Sequence, residues 1–176
     1  LAQHWKLALD LFVPEAQRYG VTNDYREPTR LGADRWAALV AARARTRGPA
    51  CVVDAGTAVT IDALDADGVF RGGVILPGLM LQRTALLQGT SGIAESEGQG
   101  RDPLARSTAD AVAAGTLLGL AGAIDRVLDE QALLLGTPPT VFVCGGDALR
   151  LLPLLRHAAM AVPDLVLEGV ARMAES

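Results

Sequence analysis

Asp54, Gly56 and Thr57 stand together in the stretch Cys51–Asp62, CVVDAGTAVTID, and their types suit one piece of chemistry. Backbone N–H groups of a glycine turn and a threonine hydroxyl suit phosphate oxygens, and a neighbouring carboxylate suits a cation that accompanies them. The alternative is a plain tight turn with a solvated aspartate. A second group lies upstream in YREPTRLGADRW, where Tyr25 precedes Gly32, Ala33, Asp34 and Arg35. A carboxylate in a first helical turn is favoured by the helix dipole, so Asp34 also reads as a simple cap, with Arg35 as a surface charge beside it. Downstream, Ser107 and Thr108 precede Asp110 and give a Ser-x-x-Asp start to a long apolar stretch.

The elements that must hold these groups can be read from periodicity and turn residues. Val52 and Val53 are β-branched as in a buried strand, Gly56 can take a positive φ, and Val59 and Ile61 alternate with Thr60 and Asp62 in a second strand. The Asp-Gly signal in DADG (65–68) then leads into VFRGGVILPG, a third strand in which Gly72 and Gly73 mark a bulge or a close approach to the backbone. The resulting meander from Cys51 to Leu76 is expected to form the core of a mixed sheet, with Val52, Val53, Ile61 and Ile75 buried. Residues 2–12 have helical spacing, and Val21 to Pro28 form a polar loop in which Pro28 holds Glu27 extended. TRLGADRWAALVAARARTRG predicts an amphipathic helix ending near Gly48.

Leu79–Leu87 predicts a short helix and Gln88–Asp102 a polar, glycine-rich surface loop. A helix from Ala109 to about Leu135 follows, its first half buried on all sides. Gly115, Gly119 and Gly122 in it weaken a helix by roughly 1 kcal/mol each relative to alanine, which calls for close approach of another element. PPTVFVCGGDA predicts a buried strand and a glycine turn, with Asp147 opening a helix that Pro153 divides. A last strand around Leu165–Leu167 and a short helix close the chain.

Bulk properties limit the functions that these elements can serve. The chain has 176 residues, half of them apolar, enough to bury a core. Acidic residues number 20 against 16 basic ones with no basic run, and aromatics make up 4%, so no nucleic-acid surface is indicated. Cys51 and Cys144 fall in strand-like runs and read as core residues, and His4 and His157 have no partners at metal-ligand spacing. The uncharged run Ala111–Ile124 is too short to span a bilayer and no signal peptide is apparent, so no membrane partner is expected and a cytoplasmic location is.

In order and spacing, YREPTRLGADRW, DAGTAVTID, GGVILPG, STADA, VCGGDA and PDLVLEG resemble the type III pantothenate kinases over nearly the whole chain. The resemblance implies an α/β fold of the actin, sugar-kinase and heat-shock-ATPase superfold (ribonuclease H-like), with mixed sheets flanked by helices. Residues 1–48 would then be the remainder of a first domain and hinge, and 49–176 the second domain. The first domain reads as incomplete, because the family's N-terminal Asp-x-Gly-Asn-Thr phosphate loop is expected before Leu1. The implied activity is ATP-dependent phosphorylation of pantothenate, the first step of coenzyme A synthesis. ATP with Mg²⁺, a monovalent cation (K⁺ or NH₄⁺) and a homodimer with the pantothenate pocket near its subunit boundary are implied as well.

Carried over by position, Asp34 matches the general base. Tyr25, Gly32, Ala33, Asp34, Arg35 and Thr108 match pantothenate contacts, with Arg35 offering a fork to the substrate carboxylate. Gly56 and Thr57 match the ATP phosphate contact, and Asp54 matches a ligand of the monovalent cation. A catalytically impaired regulatory or binding relative, of the accessory transcription factor type, is the competing expectation; intact Asp34, Arg35, Asp54 and Thr57 speak against it. A kinase for acetate or sugars on the same superfold would leave GADR and Tyr25 unexplained.

Overall fold

The computed structural model describes residues 12–93, 98 and 100–175. Among them the strands β1 (Gln17–Arg18), β2 (Val21–Asn23), β3 (Ala50–Ala55), β4 (Ala58–Leu64), β5 (Val69–Pro77), β6 (Thr140–Cys144) and β7 (Ala159–Ala161) make one mixed sheet. Its order is β1-β2-β5-β4-β3-β6-β7. The β3–β4–β5 meander is antiparallel, whereas β6 joins β3 and β7 joins β6 in parallel. The expected helix over residues 2–12 lies almost wholly outside the described residues, as do residues 94–97 and 99 of the expected loop at 88–102.

Side-chain alternation along β3 sends Ala50 and Val52 to one face of the sheet and Cys51, Val53 and Ala55 to the other, so both faces must be covered. On the first face lie α1 (Ala33–Arg45), with Trp36, Leu39 and Val40, and α5 (Leu165–Ala174), with Leu165 and Met173. On the second lie α2 (Leu79–Gly89), α3 (Thr108–Leu135) and α4 (Ala148–Leu151), contributing Leu79, Leu117, Leu120, Ile124, Leu128 and Leu151. Both cysteines are buried in the strands, and burial pushes their thiols up to about 12.

Several expectations need correction. Residues 165–167 are helical and not a strand, because Leu165, Gly169 and Met173 recur at helical spacing and all face inward. A side chain at Gly169 would collide with the backbone of Ala37, so the glycine lets α5 lie directly on α1. The last strand is β7, just upstream. Val21–Asn23, expected within a loop, pairs as a strand with the start of β5. That pairing reaches only Phe70, so the distal half of β5 is an edge, and Ile75 is 61% exposed where burial was expected.

The start of α3 is as expected, with the Ser107 hydroxyl accepting from the Asp110 N–H. Its first half is not buried on all sides: Gly115, Gly119 and Gly122 are open, with nothing within 4 Å of a would-be Cβ. By length and composition α3 could cross a membrane, but half of its most apolar window is buried within the fold.

Candidate active site

The glycine turns of three motifs meet at one edge of the sheet, where β3, β5 and β6 end and β4 begins. The Ala55–Thr57 turn closes through Gly56 N–H to the Ala58 carbonyl at 3.2 Å. Gly56 does not use a positive φ; its backbone oxygen lies so near Gly78 that a Cβ on Gly78 would strike it. Gly78 N–H donates to the Thr57 carbonyl at 3.0 Å, and Asp147 N–H donates to Ala55 at 2.9 Å. Gly145 does need its freedom. Its φ is +89°, and a Cβ there would stand 2.5 Å from Asp54 Oδ1. Thr57 is exposed at this edge of the sheet, and Asp54 is half-buried.

On the α1 side of the sheet the second group assembles. Gly32 is the residue before α1, Ala33 its first residue, and Asp34 and Arg35 complete the first turn. Asp34 is exposed, and its Oδ1 accepts the Arg35 backbone N–H at 2.8 Å. A Cβ on Gly32 would lie 2.5 Å from that oxygen, so the glycine makes room for the carboxylate. The first turn thus anchors one oxygen of Asp34, and among the described residues no hydrogen bond engages the other.

Arg35 turns the other way. It is only 8% exposed, and it forms a two-pronged pair with Asp62 of β4, Nε to Oδ2 at 2.9 Å and Nη2 to Oδ1. Its Nη1 donates to the Tyr25 hydroxyl at 2.9 Å. The surface charge of the simpler expectation is therefore wrong, and the fork is not wholly free for a ligand. Asn23 fixes the Tyr25 loop from below: its amide donates to the Pro28 carbonyl at 3.1 Å and its oxygen accepts Tyr25 N–H at 3.1 Å.

Charge in the site is unbalanced. Burial raises the pKa of Asp54, and the nearby carboxylates of Asp34 and Asp62 raise it further. Burial also pushes Asp62 up, opposed by Arg35. Arg35 stays protonated, since its bonds to Asp62 and Tyr25 outweigh the burial that disfavours its charge. Arg35 is paired with Asp62, so Asp54 lies near two other carboxylates without a basic partner among the described residues.

The structure brings Tyr25 and Arg35 together, with Asp34 in the same helical turn as Arg35 and near enough to Asp54 to raise its pKa. Thr108 does not join them. It opens α3 on the opposite face of the sheet and lines a groove with Pro77, Leu81, Leu86 and Val112. Asp62 and Asn23 were not singled out in the sequence. The only signal for Asp62 was its place beside Thr60 on the polar face of β4, which reads as solvent-facing until α1 is known to cover it.

A family model described as Type III pantothenate kinase matches residues 1–130. The chain is similar to curated type III pantothenate kinases, among them one from Thiobacillus denitrificans, 49% identical over 92% of this chain and 66% of that protein. Another, from Nitrosococcus oceani, is 42% identical over 99% of this chain and 68% of that protein. The chain spans about two thirds of the length of these curated relatives. Among solved structures, one titled as a Baf family transcriptional activator from Campylobacter jejuni is similar, with a TM-score of 0.63 and 24% identity. It covers 89% of this chain and 69% of that one, and the likeness is one of fold. The Alp12 filament structure is more distant, with a TM-score of 0.54 at 9% identity, covering 80% of this chain and 51% of that one. With matching motifs on a matching scaffold, the chain belongs to the type III pantothenate kinase family.

Proposed function

We propose that this chain forms the larger part of an enzyme that transfers the γ-phosphate of ATP to the primary hydroxyl of pantothenate, giving 4'-phosphopantothenate. The observation that carries this is the first turn of α1, where Asp34 has one oxygen anchored and one without a hydrogen bond among the described residues, with Arg35 and Tyr25 beside it. Kinase family membership implies ATP and a divalent metal. ATP with Mg²⁺ would supply the transferable phosphoryl group and part of its charge neutralisation. The transition state for that transfer is loose, so the protein's task is mainly positioning.

Asp34 accepts the hydroxyl proton, Arg35 and Tyr25 orient the substrate, Gly32 and Ala33 pass beside it, and Gly56 with Thr57 contacts phosphate. Gly145 and Gly78 let the neighbouring turns pack directly against Ala55–Thr57, because a Cβ on either would strike that segment. The test is direct: the enzyme at the full length of its relatives, given ATP, Mg²⁺ and pantothenate, should yield ADP and 4'-phosphopantothenate, and no turnover would sink the reading.

The finer points rest on the same site. The superfold is that of actin and the sugar kinases, with residues 1–48 belonging to the first domain and hinge and 49–176 to the second. A homodimer is supported by the open glycine face of α3 and by Thr108, which lies on the other side of the sheet from Asp34 and would reach a pantothenate site only from a second copy. Sedimentation showing a monomer alone at micromolar concentration would count against it. The cytoplasm is the expected location of such a biosynthetic enzyme, and its partners are small molecules rather than nucleic acid or membrane.

Asp54 is assigned to a monovalent cation, K⁺ or NH₄⁺, and the sign of its pKa shift makes that testable. A carboxylate whose folded pKa is raised destabilises the fold as pH rises through that pKa, and the penalty persists at neutral pH. Without monovalent cation, Asp54→Asn should therefore melt higher than wild type at pH 7, with the gap closing in acid. Activation by K⁺ or NH₄⁺ should weaken in the same variant while pantothenate binding is kept. Equal melting temperatures and unchanged activation would remove the assignment.

A further inference from the structure

We propose that Asp62 is a positioning residue for pantothenate: by holding one edge of the Arg35 guanidinium, it fixes the remaining N–H groups toward the substrate carboxylate. The proposal rests on the pantothenate kinase reading and adds a residue to it. Asp62 is 1% exposed, and both of its oxygens face Arg35. Its partner position across the sheet is Gly73, where any Cβ would collide with Asp62 Oδ1 and with the Ile61 carbonyl. The glycine leaves the carboxylate the space it occupies.

The guanidinium is held from further directions. Nη1 donates to the Tyr25 hydroxyl, and the carbon between the nitrogens lies 5.6 Å from the Tyr25 ring and 5.8 Å from the Phe70 ring. Phe70 and Tyr25 are themselves in contact, with ring centroids 5.3 Å apart. After these bonds, one N–H on Nη1 and one on Nη2 remain for a further acceptor. Two such donors can serve the two oxygens of a carboxylate.

Two opposing effects follow from the pair. Asp62 lowers the net positive charge that a second carboxylate meets, which weakens attraction. It also removes the rotamer freedom that a free arginine would lose on binding, which strengthens it. The second effect wins here, because without Asp62 the guanidinium keeps the single bond to the Tyr25 hydroxyl and loses the two-pronged hold that fixes its plane.

The experiment uses the full-length enzyme, with wild-type turnover of pantothenate measured first, so that failure of the kinase reading appears in wild type and failure of this proposal only in the variants. Asp62→Asn keeps the shape and loses the charge. Its apparent KM for pantothenate should rise by about tenfold, the effect of one side chain left to be ordered on binding. Its kcat should stay within about threefold and its KM for ATP should not move, a split that marks lost ground-state positioning. An unchanged or lower KM for pantothenate overturns the proposal, as does an equal rise in the KM for ATP.

If Asp62→Asn alone does not fold, two neutral pairs carry the test: Arg35→Met/Asp62→Leu and Arg35→Met/Asp62→Asn. Neither leaves a buried charge unpaired. Since Asp62 acts only through Arg35, both pairs should show the same KM for pantothenate within about twofold, the ordinary scatter for uncoupled changes. A larger difference would give Asp62 a route to the substrate that bypasses Arg35, and the proposal would fail.

Discussion

Asp34→Asn should keep the fold and pantothenate binding and lose about 10²- to 10⁴-fold in kcat, the usual range for removing one general base. The geometry makes this a clean substitution. Asp34 Oδ1 accepts the Arg35 backbone N–H at 2.8 Å, and the asparagine carbonyl oxygen can accept the same bond. Loss of the charge at the helix start removes roughly 0.3–1 kcal/mol of dipole interaction, too little to unfold a domain. What the amide cannot do is take up the hydroxyl proton as phosphoryl transfer proceeds. Measured at saturating pantothenate, the variant separates the two roles open to this residue. A base gives a large fall in kcat with little change in KM, whereas a mere cap gives near-normal kcat with a slightly lower melting temperature. Near-normal kcat would leave the proposed chemistry without a proton acceptor.

How far the sequence reaches is set by what each signal measures. The meander and the start of α3 were legible because Asp-Gly turns, two-residue alternation and a Ser-x-x-Asp cap act locally. Leu165–Leu167 was misread because three apolar residues fit a strand or a helix equally well. What decided it was Gly169 lying on Ala37, a contact between segments far apart in the chain. Ile75 shows the converse. Its strand was identified correctly, but its burial depended on a neighbour, and β2 is too short to supply one.

At the site, Asp54 and Thr57 were visible as residue types that suit a cation and phosphate, whereas Tyr25 and Asp34 took their expected roles from the motif resemblance. The pairing of Arg35 with Asp62 was not visible, because alternation sends Asp62 to the polar face of β4 and cannot say that α1 covers it. Thr108 was equally visible by motif, yet no local signal reveals that it lies across the sheet from Asp34.

That hidden pair predicts a result that the motif alone would not. Read as a substrate contact only, Arg35→Ala should raise the KM for pantothenate and leave stability alone. Read from the structure, it leaves the Asp62 carboxylate buried without its partner, a loss of about 3–5 kcal/mol for breaking such a pair. At roughly 2–4 °C per kcal/mol for a chain of this length, the melting temperature should fall by about 6–20 °C. Acid should narrow the gap. The unpartnered Asp62 titrates with its pKa raised by burial, so the folded variant binds a proton more tightly than the unfolded chain and gains stability as pH falls through that pKa. Arg35→Met/Asp62→Leu should recover most of the melting temperature, since no charge remains to be buried, while pantothenate binding stays impaired. An Arg35→Ala variant that melts with wild type across the pH range would mean that water reaches Asp62 and that the pair contributes nothing to the fold.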